Sequence, residues 1–414
     1  MKILYINHYA GSLKHGMEFR PFYMAREWGN LGADVTILAA SESHVRATQP
    51  QMTHTFTQEK IENVKYVWAK TPAYQVNGVK RFINMLAFIG RVFQYSFIIK
   101  KSEAPESVIA SSTYPLDIFP AWFIAKRFKA KLLFEVHDLW PLSPIELGGM
   151  KKTHPFIMLM QFAENFAYKH SDTVISMLPK TLEYMVSHGM KPEKFVYVPN
   201  GIDLEEWQNP VTLEQFPDVM ATAEEIKKDQ SEGKFTIAYL GTHGLANALD
   251  NFINAAELIQ NENIVFYLVG SGPDKKSLME LVKNKKLANV KFVNPIPKKT
   301  IPVITKLFDA NYIGLQKQSL FRFGISPNKL MDYMTAEKPI INAIEAGNDP
   351  VQEANCGYSI PAENPKALAD AILKLRNLPK DELKLLGKNG YLYMTKEHDY
   401  KILANKFLQA MKKV

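Results

Sequence analysis

In GISPNKLMDYMTAEKP, residues 324–339, a Gly, a Ser, an Asn and a Lys crowd the start of a segment whose apolar Leu330, Tyr333 and Met334 recur at helical spacing. Ser326 suits an N-cap and Pro327 the first helical position. A helix start presents unpaired N–H groups and a partial positive charge, so it attracts phosphate. Lys329 adds a full charge, and Gly324 lets a ligand approach the backbone. Asp332 lies three residues beyond Lys329, on a neighbouring surface position. A carboxylate there can accept hydrogen bonds from two adjacent sugar hydroxyls. A plain capped helix with a Lys329–Asp332 surface pair explains the same residues. Two further glycine turns weigh against that plainer reading. LGTHGLANALDN, 240–251, sets Gly241 and Gly244 between a strand pattern and a helix pattern, and LVGSGPDKKSL, 268–278, does the same with Gly270 and Gly272. Neither is GxGxxG, which disfavours a nicotinamide dehydrogenase.

These turns need strands to launch them and helices to receive them. KILYIN (2–7) and DVTILAA (34–40) read as strands around a helix from about Arg20 to Gly32; VKYVWA, SVIAS, AKLLFEV and DTVISM continue the series. Residues 209–234 are polar and offer no good core strand. A second series follows: FTIAYLG (235–241), IVFYLVGSG, NVKFVN, ANYIGL and KPIINA. Strand–helix alternation implies parallel sheets wrapped by helices. The expected fold is therefore α/β, with two Rossmann-like doubly wound domains, 1–203 and 204–394, facing a central cleft, and ligands lying beyond the carboxyl ends of strands. The last helix, 395–414, is expected to pack back on the first domain.

The chain has 414 residues, a single cysteine (Cys356) and a formal net charge of +8, nearly all of it in the first half. One cysteine precludes an internal disulfide and fits a reducing compartment. The N-terminal apolar run is too short for a secretory signal. The segment FINMLAFIGRVFQYSFIIKK, from Phe82, contains Asn84, Arg91 and Gln94 and makes a poor transmembrane helix. With Lys80, Arg81, Arg91, Lys100 and Lys101 it reads either as a core helix with solvated ends or as one touching an anionic membrane surface.

Several stretches together resemble one family, the family-4 retaining glycosyltransferases of GT-B type. SPNKLMDYMTAEKPII resembles the family's nucleotide-sugar helix, YVPNGID (197–203) its signature at the end of the first domain, and VGSGPDKKSL with NVKFVN its glycine turn and following strand. EVHDLWP (135–141) resembles the loop that carries a His toward the reaction centre, and EANCGYSIPAENPKALADAI (353–372) the closing segment. The narrower resemblance is to bacterial transferases that build O-antigen and capsule, including those of fucosamine-type sugars.

That resemblance implies roles. Donor binding falls to Gly241, Thr242, Gly244, Gly270, Gly272, Ile296, Arg322, Gly324, Ile325, Ser326, Pro327, Asn328, Lys329 and Asp332, with Ile296 near the nucleobase. His137 and Lys329 are the catalytic candidates; Gly11, Arg20, Asp138 and Trp140 are acceptor-side candidates, with Asp138 orienting His137. The family often carries two Glu eight positions apart on this helix. Here the second is Asp332 and the first is Gly324. The usual Arg and Lys of the first glycine turn are Thr242 and Asn247, so Lys329, with Arg322, must hold a diphosphate. The chain has no Asp-x-Asp triplet, so the expected leaving-group site uses no metal and no cofactor.

The expected function is transfer of a sugar from a nucleotide diphosphate sugar, UDP-linked by resemblance, to a saccharide or lipid-linked acceptor with retention. The setting is the cytoplasm or the inner face of its membrane, and nucleic acid is not an expected partner. A non-catalytic nucleotide-sugar-binding subunit, or a GT-B-like epimerase, stays open because of Gly324 and the absent cations.

Overall fold

The computed structural model describes residues 1–74 and 78–412. Contacts divide the chain into two units. The first comprises Met1–Asn200, Phe323–Ile325 and Tyr400–Val414; the second comprises Gly201–Arg322 and Ser326–Asp399.

In the first unit, eight strands form one sheet: β1 (Lys2–Ile6), β2 (Asp34–Ala40), β3 (Phe56–Ile61), β4 (Val64–Ala69), β5 (Ser107–Ala110), β6 (Lys131–Val136), β7 (Thr173–Ser176) and β8 (Phe195–Tyr197). Their order is β3-β4-β2-β1-β5-β6-β7-β8, parallel except for the β3–β4 hairpin. Strand order reverses between β1 and β5, so the carboxyl ends of those strands form the crevice where ligands of such sheets bind. Helices α1 (Arg20–Asn30), α2 (Val79–Ile98), α3 (Ile118–Phe128) and α4 (Pro155–His170) cover it. On one face α2, α3 and α4 bury Phe88, Ile124 and Met160 against Leu4, Val108 and Phe134. On the other, α1 packs with the C-terminal helix Tyr400–Lys412. The Trp28 indole donates to the Ala404 carbonyl (3.0 Å), and its ring meets Phe407 edge-on at 5.0 Å.

The second unit holds six parallel strands: β9 (Phe235–Leu240), β10 (Ile264–Val269), β11 (Val290–Val293), β12 (Ala310–Gly314), β13 (Ile340–Ala343) and β14 (Gly357–Ser359), ordered β11-β10-β9-β12-β13-β14. Every residue of β9 and β10 is buried. That is why FTIAYL and IVFYLV read as unbroken apolar runs: parallel strands covered on both faces have no polar side to alternate with. Helices α5 (Leu249–Leu258), α6 (Lys275–Asn284), α7 (Asn328–Thr335) and α8 (Pro365–Arg376) accompany them.

Four local expectations change. β3, β8 and β14 are strands the alternation did not show. The polar stretch 209–234 contains a helix, Pro217–Ser231, that buries Val219, Ala223 and Ile226. The last helix begins at Tyr400, because Met394–His398 forms a π-helical turn and Asp399 is extended. Its final two positions, 413–414, lie outside the described residues. Finally, α7 starts at Asn328 with Pro327, in extended geometry, in the capping position, so Ser326 is not the N-cap.

Removing the fully buried Phe407 ring should loosen the C-terminal helix from α1. Phe407→Ala is expected to cost about 3–5 kcal/mol, read as a lower urea midpoint for the first unit's unfolding transition.

Candidate active site

Each unit gathers a cluster at the carboxyl ends of its strands. In the first, the organising residue is Glu135, fully buried near the end of β6. Its carboxylate takes Arg20 Nε at 2.9 Å, the Ser111 hydroxyl at 2.6 Å and the Tyr5 hydroxyl at 2.5 Å. His137 Nε2 lies 3.5 Å from Glu135 and 3.0 Å from Ser111 Oγ. Burial works to raise the pKa of Glu135, but Arg20 and the hydrogen bonds of His137 and Ser111 outweigh it and hold the carboxyl well below the usual range. Burial likewise works against a charged His137, and the Glu135 carboxylate overcomes it, so the imidazole pKa is raised. Beside them, Asp117 accepts from the backbone N–H groups of Ser111 and Ser112 at 3.2 and 2.9 Å, and burial pushes its pKa up to about 6. A small pocket lined by Ser112, Thr113, His137, Asp138, Trp140 and Glu164 opens here.

This arrangement corrects two expectations. Arg20 is not exposed to an acceptor: besides Glu135 it binds the carbonyls of Val198 (2.9 Å) and Pro199 (2.5 Å) and is 1% exposed. It therefore acts on the site only through Glu135. Asp138 does not orient His137; Glu135 and Ser111 do. Asp138 keeps an exposed side chain, although crowded surroundings raise its pKa. Gly11 has a steric duty, because a Cβ there would meet the Gly16 carbonyl at 1.9 Å. Glu135 itself escaped the sequence reading. The signal was present: a lone carboxylate inside the apolar run AKLLFEV has to find a cation.

In the second unit, two glycine turns interlock. Gly241 N–H donates to the Val269 carbonyl at 2.9 Å and His243 N–H to Ser271 at 2.8 Å. Gly270 has φ 143°, and a Cβ on it would lie 1.9 Å from the Gly241 carbonyl. At Gly272 a Cβ would lie 2.2 Å from the His243 carbonyl. The turns after β9 and β10 can pack this closely only with glycine at these positions. His243 lies fully buried between them, its pKa lowered to about 4 by burial and the charges of Lys275 and Lys329.

Helix α7 docks against the same place. Leu330, Tyr333 and Met334 are buried, and the Tyr333 hydroxyl bonds both the N–H (2.7 Å) and the carbonyl (3.0 Å) of Leu240. This clamp brings Lys329 over the first turn. Its Nζ donates to Tyr239 Oη and to Asn247 Oδ1, both at 2.7 Å, and lies 4.6 Å from the Tyr239 ring centre. A Cβ on Gly241 would sit 3.3 Å from that nitrogen. Tyr239 and Asn247 each also donate to the Thr242 carbonyl, at 2.8 and 3.0 Å. Burial lowers the pKa of Lys329 to about 8, and no carboxylate offsets it.

Lys329 and Asp332 do not pair. The carboxyl of Asp332 instead feels Lys298 and Glu206, which are themselves bridged at 2.8 Å, and burial pushes its pKa up to about 7. Ile296 is half-buried in the loop after β11. Ser326 and Pro327 are half-buried and Asn328 exposed at the start of α7; Thr242 is exposed and Gly244 half-buried in the first turn. Arg322 donates to the Ser319 carbonyl at 2.6 Å. Gly324, with φ 102°, and Ile325 group with the first unit. Among the described residues no three His, Cys, Asp or Glu side chains cluster as a metal site.

Taken together, the second cluster offers an ammonium, a helix N-terminus and backbone bared by glycine, the requirements of a diphosphate site. Residues 15–201 match the model of a glycosyl transferase 4-like domain, and residues 221–393 match that of glycosyl transferases group 1. The chain belongs to the family-4-like GT-B glycosyltransferases. The transferase is similar to the probable glycosyltransferase WbjE of Pseudomonas aeruginosa, 25% identical over 305 residues, 72% of this chain and 73% of the relative. It is also similar to the putative colanic acid biosynthesis glycosyl transferase WcaI of Escherichia coli K12, 22% identical over 338 residues, 78% and 79% of the two chains. Its fold matches that of Anabaena HepE, solved in complex with UDP and glucose, with TM-score 0.66, 12% identity and full coverage of both chains.

The buried Glu135 gives this transferase a testable signature. Glu135→Gln removes the charge that raises the His137 pKa, so that pKa should drop. An NMR titration of the imidazole is expected to show deprotonation at lower pH in the variant than in the wild type.

Proposed function

We propose that the transferase takes a sugar from a UDP-linked donor and passes it, with retention of anomeric configuration and without a metal, to a saccharide or lipid-linked acceptor in bacterial surface-polysaccharide synthesis. The observation that carries this reading is Lys329: a half-buried ammonium whose hydrogen-bond partners are two neutral oxygens, poised over a glycine turn. Its charge is left for an anion. The nucleotide and sugar bound by HepE, and the polysaccharide role in the description of WcaI, support the donor and the pathway.

On this reading the bond between the anomeric carbon and the β-phosphate oxygen breaks, and the oxygen keeps the electron pair. Lys329 and the N–H groups at the start of α7 stabilise that charge. The acceptor oxygen bonds the anomeric carbon on the same face and gives its proton to the departing diphosphate. Asp332 binds the ribose hydroxyls. His137, held by Glu135 and Ser111, hydrogen-bonds the donor sugar or the acceptor beside Asp138 and Trp140. Asn247, at a position where the family resemblance implies a cation, serves as the acceptor that aims Lys329. A cytoplasmic setting fits the single buried cysteine.

Lys329→Ala should cut kcat by about 10²–10³ and weaken UDP binding. In the wild type UDP affinity should fall as pH rises through about 8, where free Lys329 loses its proton; Lys329→Met should flatten that dependence. The function itself is tested by incubating the purified chain with UDP-, GDP- and ADP-linked sugars and extracted acceptors. Transfer that survives EDTA is expected, whereas binding without turnover would favour a non-catalytic subunit. Loss of activity restored by Mn²⁺ or Mg²⁺ would overturn the metal-free site.

A further inference from the structure

The layer formed by α2, α3 and α4 is apolar on its outer side as well as its inner side. On α2, Ile83 and Leu86 are half exposed and Phe97 is 63% exposed; on α4, Met158 is 59% and Phe162 62% exposed. These residues follow helical spacing, so each helix presents a second apolar stripe opposite the one it buries. The stripes join. Phe123 of α3 meets both Phe93 and Phe97 at 6.0 and 5.7 Å, and Phe119 of α3 meets Phe162 at 5.9 Å. The result is one continuous aromatic face rather than scattered surface residues.

Its charge is one-sided. The only carboxylate on the three helices is Glu164, which is buried. Their cations are Lys80, Arg81, Arg91, Lys126, Arg127 and Lys169, and Lys100 and Lys101 follow α2 directly. The Arg127 guanidinium lies 5.3 Å from the centre of the exposed Phe97 ring. An apolar face edged by cations matches an anionic bilayer, where rings enter the headgroup boundary and cations meet lipid phosphates. Pairing two copies across this face would set cations against cations. Among the described residues no helix is long and apolar enough to cross a membrane, so the contact would be peripheral.

We propose that the outer face of α2, α3 and α4 docks this transferase on an anionic lipid bilayer. The pocket beside His137 adjoins that face: Trp140 meets Phe156 of α4 edge-on at 6.1 Å, and Phe156 meets Phe82 of α2 at 5.7 Å. If the proposed function holds, docking brings the pocket to a lipid-borne acceptor; the docking itself requires no turnover.

The test is sedimentation of the full chain with phosphatidylcholine vesicles, with and without about one-third phosphatidylglycerol. Binding to the anionic vesicles, weakened by salt, is expected. The double variant Phe97→Ser/Phe162→Ser should bind at least about fivefold less with an unchanged melting temperature, since both rings are exposed. Lys126→Glu/Arg127→Glu should lose a further margin of about fivefold per charge on anionic vesicles only. Absence of binding to anionic vesicles, or equal binding by wild type and both variants, would overturn the proposal. So would gel filtration showing a wild-type dimer that the Phe97→Ser/Phe162→Ser variant breaks, because a second copy would then occupy the face. Neither readout needs a sugar, so its failure would leave the transfer reaction standing.

Discussion

A half-buried ammonium answered only by neutral oxygens governs the second unit. Placing a cation under cover costs free energy unless a counter-charge compensates. Lys329 has none: a phenol and a carboxamide hold it. The cost appears as a proton held less tightly than in water. On the proposed function, a pyrophosphate would supply the missing charge. The surrounding features serve this placement. Tyr333 clamps α7 to the end of β9, and Gly241 leaves the room the ammonium occupies. Gly270 and Gly272 let the neighbouring turn close beneath the first.

The first unit solves the opposite problem. Its buried cation, Arg20, is bound by Glu135 and two carbonyls and is 1% exposed, out of a ligand's reach. What that pair does is fix a negative charge below His137. A buried pair contributes little net stability against an apolar substitute, so its value here lies in orienting the imidazole and raising its pKa. The two cations thus differ in environment because they differ in partner.

Much of this was legible in the chain. Unbroken apolar runs such as FTIAYL gave buried parallel strands, and glycine after each gave the turns. Leu330, Tyr333 and Met334 marked the buried side of α7 correctly. The hairpin strand β3 was not legible, because FTQEKI is half exposed and only its pairing with β4 makes it a strand. The N-cap expected at Ser326 failed for a local reason: the chain remains extended through Pro327, and α7 begins one residue later.

Residue order and type were enough for the α/β class, the glycine turns and the candidacy of Lys329, since periodicity and turn chemistry act over a few neighbouring positions; His137 was a candidate only through the family resemblance. Partners distant in sequence were decided by folding. Arg20 meets Glu135 across 115 positions, and Lys329 meets Tyr239 and Asn247 across 90 and 82. Sheet order makes those meetings, and no local pattern records it. The difference between a sealed ion pair and a charge met only by neutral oxygens is therefore a property of the assembled sheets.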